Sequence, residues 1–255
     1  MVQGYFFYHL MNRILARCFD VGPMRFAVQS EHAALPLRSL IVMPDFISAS
    51  EEEEICKHVY PLLKFRYQGT HWDDVIVKYR EIELAVEEHA VWQRVTERMK
   101  EAIMEHQGQP DMQFLAPHVV DLAKDGHIGA HVDSIKFSGG IVAGLSLLSH
   151  RIMRLERDEE AEMHLRTQSP QHPSLHATPD ALSAVEFDLP PRSLYIMAGP
   201  LRYFFSHQVL GQGSPSDLPV LLKGSTGQGM AESKSEGGGE AYKRRISLVL
   251  RDVFV

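Results

Sequence analysis

Cysteine is nearly absent, with Cys18 and Cys56 the only two in the chain. They form no CxxC pair and no disulfide framework, which argues for a reducing compartment and against a thiolate zinc site. No apolar run reaches the eighteen or so residues that a membrane span needs. Positive charge is not in surplus either: 26 Lys and Arg stand against 33 Asp and Glu, a formal −7 with a pI near 6.0. No net basic field therefore draws the chain to nucleic acid or to an anionic membrane, although a local basic groove remains allowed. What is present suffices for a core, since 255 residues with 44% apolar content fit one large domain or two small ones.

Residues 1–37 differ from the rest. Arg13, Arg17 and Arg25 against Asp20 and Glu31 give this segment +1 and leave −8 for the remainder (−7 minus +1). Phe6, Phe7, Leu10, Ile14 and Leu15 lie near helical spacing. Such a leader reads equally as a mitochondrial transit peptide or as a disordered N-terminus. From 38 to 255 the pattern is that of a single domain. A strand at 39–43 precedes Ser48 and Glu51, spaced as a capping box that starts a helix with Ile55, Val59, Leu62 and Leu63 on its apolar face. Pro61 limits that helix's last turn. His71-Trp-Asp-Asp74 and Lys78-Tyr-Arg-Glu81 read as loops before a second helix over 84–106, with Val91, Val95, Met99, Ala102 and Ile103 on one side.

Beyond Met112 the period becomes alternating. Strands are expected at 114–122, 141–148 and 152–155, with Asp125-Gly126 as a turn. Residues 185–189 and 193–197 read as a hairpin across Pro190-Pro191, and 243–251 as a closing strand. Two stretches, 157–180 and 211–240, read as loop insertions, the second too rich in Gly, Ser and charge to order itself. The expected fold is α+β and mainly β: an antiparallel barrel or jelly roll with its N-terminal helices packed against one sheet.

Chemistry concentrates in two places. An extended His131-Val132-Asp133 presents an imidazole and a carboxylate on one face. A histidine from a distant strand completes a 2-His-1-carboxylate facial triad, which leaves the opposite side of an iron open for oxygen and a cosubstrate. His207 lies in the strand region expected to pair across a barrel from 131–133, although with 14 histidines in the chain a core or surface role for it stays open. On the closing strand, Arg245, Ser247, Val249 and Arg251 share one face and Ile246, Leu248 and Leu250 the other. Six residues separate the two arginines by roughly 20 Å, and side chains leaning together leave a gap of about 6 Å. A short dicarboxylate matches that gap, and the guanidinium fork suits it. Two exposed cations on an edge strand are the plainer alternative.

These residues resemble the AlkB-type iron and 2-oxoglutarate dioxygenases and, within them, a mitochondrial branch. The likeness is close at His131-Val-Asp-Ser-Ile-Lys-Phe137, Ala143-Gly-Leu-Ser-Leu-Leu148, Ser193-Leu-Tyr-Ile196, Ser206-His207 and Arg244-Arg-Ile-Ser247, and reaches back to His71-Trp-Asp73 and Arg80-Glu81. It covers about 38–252. The resemblance implies a double-stranded β-helix with iron held by His131, Asp133 and His207, and no catalytic side chain beyond those ligands. It implies Fe(II), 2-oxoglutarate and O2, with Arg245 on the distal carboxylate of 2-oxoglutarate and Arg251 near its metal-bound end. His118, Tyr195 and Ser247 fall at positions of further cosubstrate contacts.

The same resemblance implies a monomer of the mitochondrial matrix, acting on a protein, a metabolite or a methylated tRNA, with roles in fatty-acid metabolism and programmed necrosis. The two insertions look longer than those of the family, and the basic, aromatic lid with which relatives that repair nucleic acid grip a flipped base is not evident. A metal- and 2-oxoglutarate-sensing interaction module, acting through a protein partner, is the alternative function.

Overall fold

The computed structural model describes residues 39–64, 66–84, 89–135, 138–171, 183–212, 220–222 and 244–253. The leader at 1–37, most of the insertion at 211–240, Lys136-Phe137 of the family-like stretch and residues 172–182 lie outside the described residues.

The elements run β1 (Leu40–Met43), α1 (Ala49–Leu62), β2 (Gln68–Thr70), β3 (Ile76–Glu83), α2 (Ala90–Gln107), β4 (His118–His131), β5 (Ile141–Leu147), β6 (Arg151–Arg157), α3 (Glu159–Gln168), β7 (Ala184–Leu189), β8 (Ser193–Ala198), α4 (Gly199–Phe204), β9 (Phe205–Val209), β10 (Val220–Leu222) and β11 (Arg245–Arg251). Helix α1 starts where its capping box requires. Ser48 Oγ accepts from the Glu51 amide while Glu51 accepts from the Ser48 amide. Helix α2 ends on Gly108 in the left-handed conformation, as C-terminal glycines do.

The strands hydrogen-bond in the order β1-β8-β5-β11-β4-β9-β6-β7-β10, with β3 beside β4 and β2 beside β3. Strand β4 carries the topology. Its first half pairs with β11 through Leu122↔Arg245 to His118↔Val249, and its second half pairs with β9 through His131↔His207. One fourteen-residue strand therefore belongs to both walls of the barrel. The Asp125-Gly126 pair, expected as a turn, lies inside this strand. Opposite it, Lys78 adopts a positive φ and the register shifts between Val77 and Tyr79. A Cβ at Gly126 would stand 2.6 Å from the Lys78 carbonyl oxygen, so glycine here admits a bulge that bends the strand without ending it.

Three further expectations change. The segment Lys78-Glu81 is strand, part of β3, because its residues pair with β4 through Tyr79↔Leu122 to Glu81↔Val120. The polar stretch from 157 holds helix α3, capped by Asp158 accepting from the Ala161 amide and fixed by Glu162 between Arg157 and Arg166. Strands β7 and β8 are not a hairpin, since β7 pairs with β6 and β8 with β1 and β5. Pro190-Pro191 has no amide N–H to continue a ladder, and the chain crosses between walls there.

Alternation along β11 sorts the core into two layers. Ile246, Leu248 and Leu250 join Val119, Leu145 and Ile196 beneath Ile55, Val59, Trp92, Val95 and Met99 of the helices. The opposite face turns toward Leu122, Val142, Leu155, Phe187 and Tyr195 inside the barrel. Each fully buried aliphatic side chain stabilises the fold by about 1.5–3 kcal/mol, so packing of Ile246, Leu248 and Leu250 under the helices fixes the direction of the other face of β11. This is the expected jelly roll with helices on one sheet.

Candidate metal centre

His131 is the last residue of β4, Asp133 lies two residues past its end, and His207 sits on β9 in direct register with His131. One potential ligand atom from each lies within 4.8 Å of the others. The two imidazole centroids are 4.2 Å apart, and His131 Nε2 is 3.7 Å from Asp133 Oδ1. His131 Nδ1 lies 2.9 Å from the Gly129 carbonyl, which places the ring proton on Nδ1 and leaves Nε2 with a lone pair. His207 Nδ1 is buried and makes no hydrogen bond among the described residues.

The electrostatics keep Asp133 ionised and His207 neutral, the forms that ligate a metal. Burial pushes the Asp133 carboxyl up, but the adjacent His131 ring and the Arg251 guanidinium hold it well below its ordinary value. Burial, with the nearby His131, pushes His207 down to about 3, so that ring is neutral at physiological pH. Burial opposes protonation of His131 as well, yet Asp133 raises its value, so this ring holds a second proton more readily than a free imidazole and gives it up from Nε2 on ligation. Two imidazoles and a carboxylate whose ligand atoms lie this close, with an unspent buried nitrogen among them, fit the donor set of a 2-His-1-carboxylate iron site.

The remaining sequence-derived residues converge on the barrel's inner face. Arg245 is 1% exposed; its Nε donates to Ser146 Oγ at 3.1 Å, and it forms no salt bridge among the described residues. Desolvation lowers it to about 10, which leaves it charged at neutral pH. Ser247 lies in register with Ser146 and Val120, and its hydroxyl donates weakly to the Val120 carbonyl at 3.5 Å. Val249 aligns with His118 on one side and Gly144 on the other, and Gly144 aligns with Tyr195. A Cβ at Gly144 would stand 2.4 Å from the Tyr195 ring, so the missing side chain is what lets this phenol lie across the interior. Arg251 closes the row at the metal end, donating from Nε to Asp133 Oδ2 and from Nη2 to Oδ1, each at 3.2 Å.

Three neighbours of this site had no role assigned from the sequence. Glu81 Oε2 is 3.2 Å from His118 Nε2 and its Oε1 is 3.8 Å from His71 Nε2, so the motif residues His71 and Glu81 meet beside His118. The Asp252 carboxylate accepts from the amides of Gly140 and Ile141. Arg202 reaches the loop that follows Asp133. The pairing of β3 with β4 was the missing information for Glu81. Nothing in a single sequence marks the other two. Trp72, in the quoted His71-Trp-Asp73, is 88% exposed between β2 and β3.

No family model matches the sequence. Among curated proteins the chain is similar to alpha-ketoglutarate-dependent dioxygenase alkB homolog 7, mitochondrial, of Mus musculus and of Bos taurus, at 36% identity over 172 residues in each case. The match covers 67% of this chain and 66% of each relative, just under two thirds of their length. Among solved structures it is similar to OsALKBH1, with a TM-score of 0.50 at 12% identity, covering 84% of this chain and 97% of that one. It is similar also to a Pseudomonas putida prolyl-4-hydroxylase, with a TM-score of 0.50 at 9% identity, covering 85% and 93%. At these identities the two structures speak for the fold alone.

Proposed function

Since the chain belongs to the AlkB-type family of alpha-ketoglutarate-dependent dioxygenases, we propose that it is an Fe(II)- and 2-oxoglutarate-dependent dioxygenase whose metal is held by His131, Asp133 and His207. The observation that carries this reading is the convergence of those three side chains within 4.8 Å at one end of an inner strand face. The buried, charged Arg245 at the other end supports it. When bound, iron with 2-oxoglutarate and O2 supplies the oxidation, in which the cosubstrate loses CO2 to become succinate and a substrate C–H bond is hydroxylated.

The chain's own part is binding and orientation. Arg245 receives the distal carboxylate of 2-oxoglutarate, a buried guanidinium whose charge calls for an anion. Ser247 and Tyr195 line the path between Arg245 and the metal ligands. Arg251 sets the plane of the Asp133 carboxylate and borders the metal-bound end of the cosubstrate. His118 Nε2 lies 3.2 Å from Glu81 Oε2, a carboxylate that can only accept, so the proton of the neutral ring sits on Nε2 and Nδ1 keeps a lone pair. Burial, the largest influence on it, lowers the His118 pKa and keeps the ring neutral.

The two mitochondrial relatives support placement in the mitochondrion. The matrix as compartment, and roles in fatty-acid metabolism and programmed necrosis, are the reading that the family resemblance implies. The substrate class remains that of a protein, a metabolite or a methylated tRNA, oxidised by hydroxylation or demethylation. Anaerobic loading with Fe(II), followed by O2 and 2-oxoglutarate, tests the enzyme reading through succinate formation. Succinate should appear with the native chain and vanish with Asp133→Ala. An iron-loaded native chain that never consumes 2-oxoglutarate ends the proposal.

A further inference from the structure

Helix α4 links β8 to the ligand-bearing strand β9, and its Arg202 is fully buried five residues before His207. A buried core position of this kind ordinarily holds an aliphatic side chain, because a guanidinium there carries a desolvation cost of several kcal/mol unless its donors are matched. The matches made by Arg202 are specific. Nη1 donates to the Asp133 carbonyl oxygen at 2.9 Å and Nη2 donates to Ser138 Oγ at 2.7 Å. Ser138 Oγ in turn donates to the Ser134 carbonyl at 3.3 Å. Both acceptors lie on the segment that leaves β4 with the carboxylate ligand. No salt bridge of Arg202 occurs among the described residues, and its Nε makes no hydrogen bond there. The guanidinium carbon lies 5.2 Å from the centroid of the Tyr203 ring, which restricts its movement on one side.

From this geometry we infer that Arg202 is a positioning residue for the metal centre: one side chain that ties the His207 segment to the backbone of Asp133. The inference rests on the metal reading above and adds a residue to it. The second arm through Ser138 matters because a carbonyl contact alone leaves the segment after Asp133 free to pivot. With both arms in place the backbone of Asp133 is fixed from behind by Arg202 and its carboxylate from the front by Arg251. The far end of the same segment is held by Asp252, which accepts from Gly140 N at 3.0 Å and Ile141 N at 2.7 Å. The carboxylate therefore meets the metal in one orientation, and groups that orient ligands in this way typically change metal affinity by about 10- to 100-fold.

Titration of the full chain with Co(II), an inert stand-in with a visible spectrum, tests the assignment by binding constant and by band shape, with urea unfolding run beside it. Arg202→Met is expected to weaken Co(II) binding by roughly 10- to 100-fold and to alter the visible bands. Arg202→Lys should recover part of the affinity, because one ammonium reaches one of the two acceptors. Ser138→Ala, which leaves the buried charge in place, should shift both readouts in the same direction and less far. A merely structural role lowers the unfolding midpoint and leaves the Co(II) spectrum and affinity of the folded fraction unchanged, and that result overturns the inference. If Arg202→Met does not fold, an unaltered Ser138→Ala overturns it equally. Failure of the native chain to bind Co(II), or binding that survives His131→Ala, defeats the metal reading itself and is thereby distinguished.

Discussion

Arg251 grips Asp133 with two parallel bonds, Nε to Oδ2 and Nη2 to Oδ1, each 3.2 Å long. A fork closed on a carboxylate fixes its plane, which a point charge cannot do. Arg251→Lys is therefore expected to keep the local charge yet lose the fixed plane. Metal affinity should fall by about tenfold, and the KM for 2-oxoglutarate should rise because the same side chain borders the cosubstrate. Calorimetric titration with Mn(II) and succinate assays over a range of 2-oxoglutarate check the two halves. Native values for both in the lysine variant would show the grip to be ornamental.

Arg245 makes the opposite test, since it lies at the far end of the face from the ligands. Removing one partner of a buried charged pair costs about 2–5 kcal/mol. Arg245→Gln should thus raise the KM for 2-oxoglutarate by roughly 30-fold or more, because each 1.4 kcal/mol is a factor of ten. Metal affinity should stay within a factor of about two, as for a distant independent site. Loss of metal binding in this variant, with the fold intact by circular dichroism, would assign Arg245 to some other task.

Gly144 and Tyr195 make a steric pair. A methyl group at 144 meets the Tyr195 ring at 2.4 Å, with ordinary contact beginning near 3.4 Å, and β11 and β8 on either side hold the Gly144 backbone in place, so the buried ring must shift. Gly144→Ala is expected to destabilise the fold by about 1–3 kcal/mol, the usual range for overpacking, and to weaken 2-oxoglutarate binding by displacing the phenol. Combining it with Tyr195→Leu should restore much of the stability and little of the binding. Urea unfolding and a 2-oxoglutarate titration separate the two effects, and additive destabilisation in the double variant would refute the steric account.

Period-two alternation made β11 legible, because Ile246, Leu248 and Leu250 had to face a core and so sent Arg245 and Arg251 the other way. The HxD spacing likewise placed His131 and Asp133 together without knowledge of the fold. Other features depended on distant chain. Asp125-Gly126 carries the local signature of a turn and is instead the point where β4 accommodates the Lys78 bulge. Whether a glycine ends a strand or bends it depends on what packs against it. The proline pair after β7 was visible, but not that it passes the chain from one wall to the other. Helix α3 is short and polar, with only Glu162 and Leu165 buried, so its periodicity was faint. Arg202 was hidden among apolar and aromatic neighbours, since its partners lie more than sixty residues away.

Acid should loosen the metal-free protein through His207. The buried ring keeps a pKa of about 3, whereas in the unfolded chain a histidine titrates near 6.5. The unfolded state therefore takes up the proton first as pH falls. The stability contributed by a neutral His207 is complete above about pH 6.5 and is lost progressively toward pH 3. His131 runs the other way in a separate window, because its raised value adds stability as pH falls toward 6.5 from above. Asp133, held well below 3.8, weakens the fold only at still lower pH. His118, also lowered by burial, adds to the loss just below 6.5. In chelator, the urea midpoint should decline from pH 6.5 to 4.5, and His207→Asn should flatten that slope while lowering affinity for Co(II). Co(II) should in turn raise the native midpoint more at pH 7.5 than at 5.5, since ligation requires deprotonated imidazoles. An undiminished acid slope in the asparagine variant would move the burden to His118 and leave His207 without the buried, neutral state on which its ligand role depends.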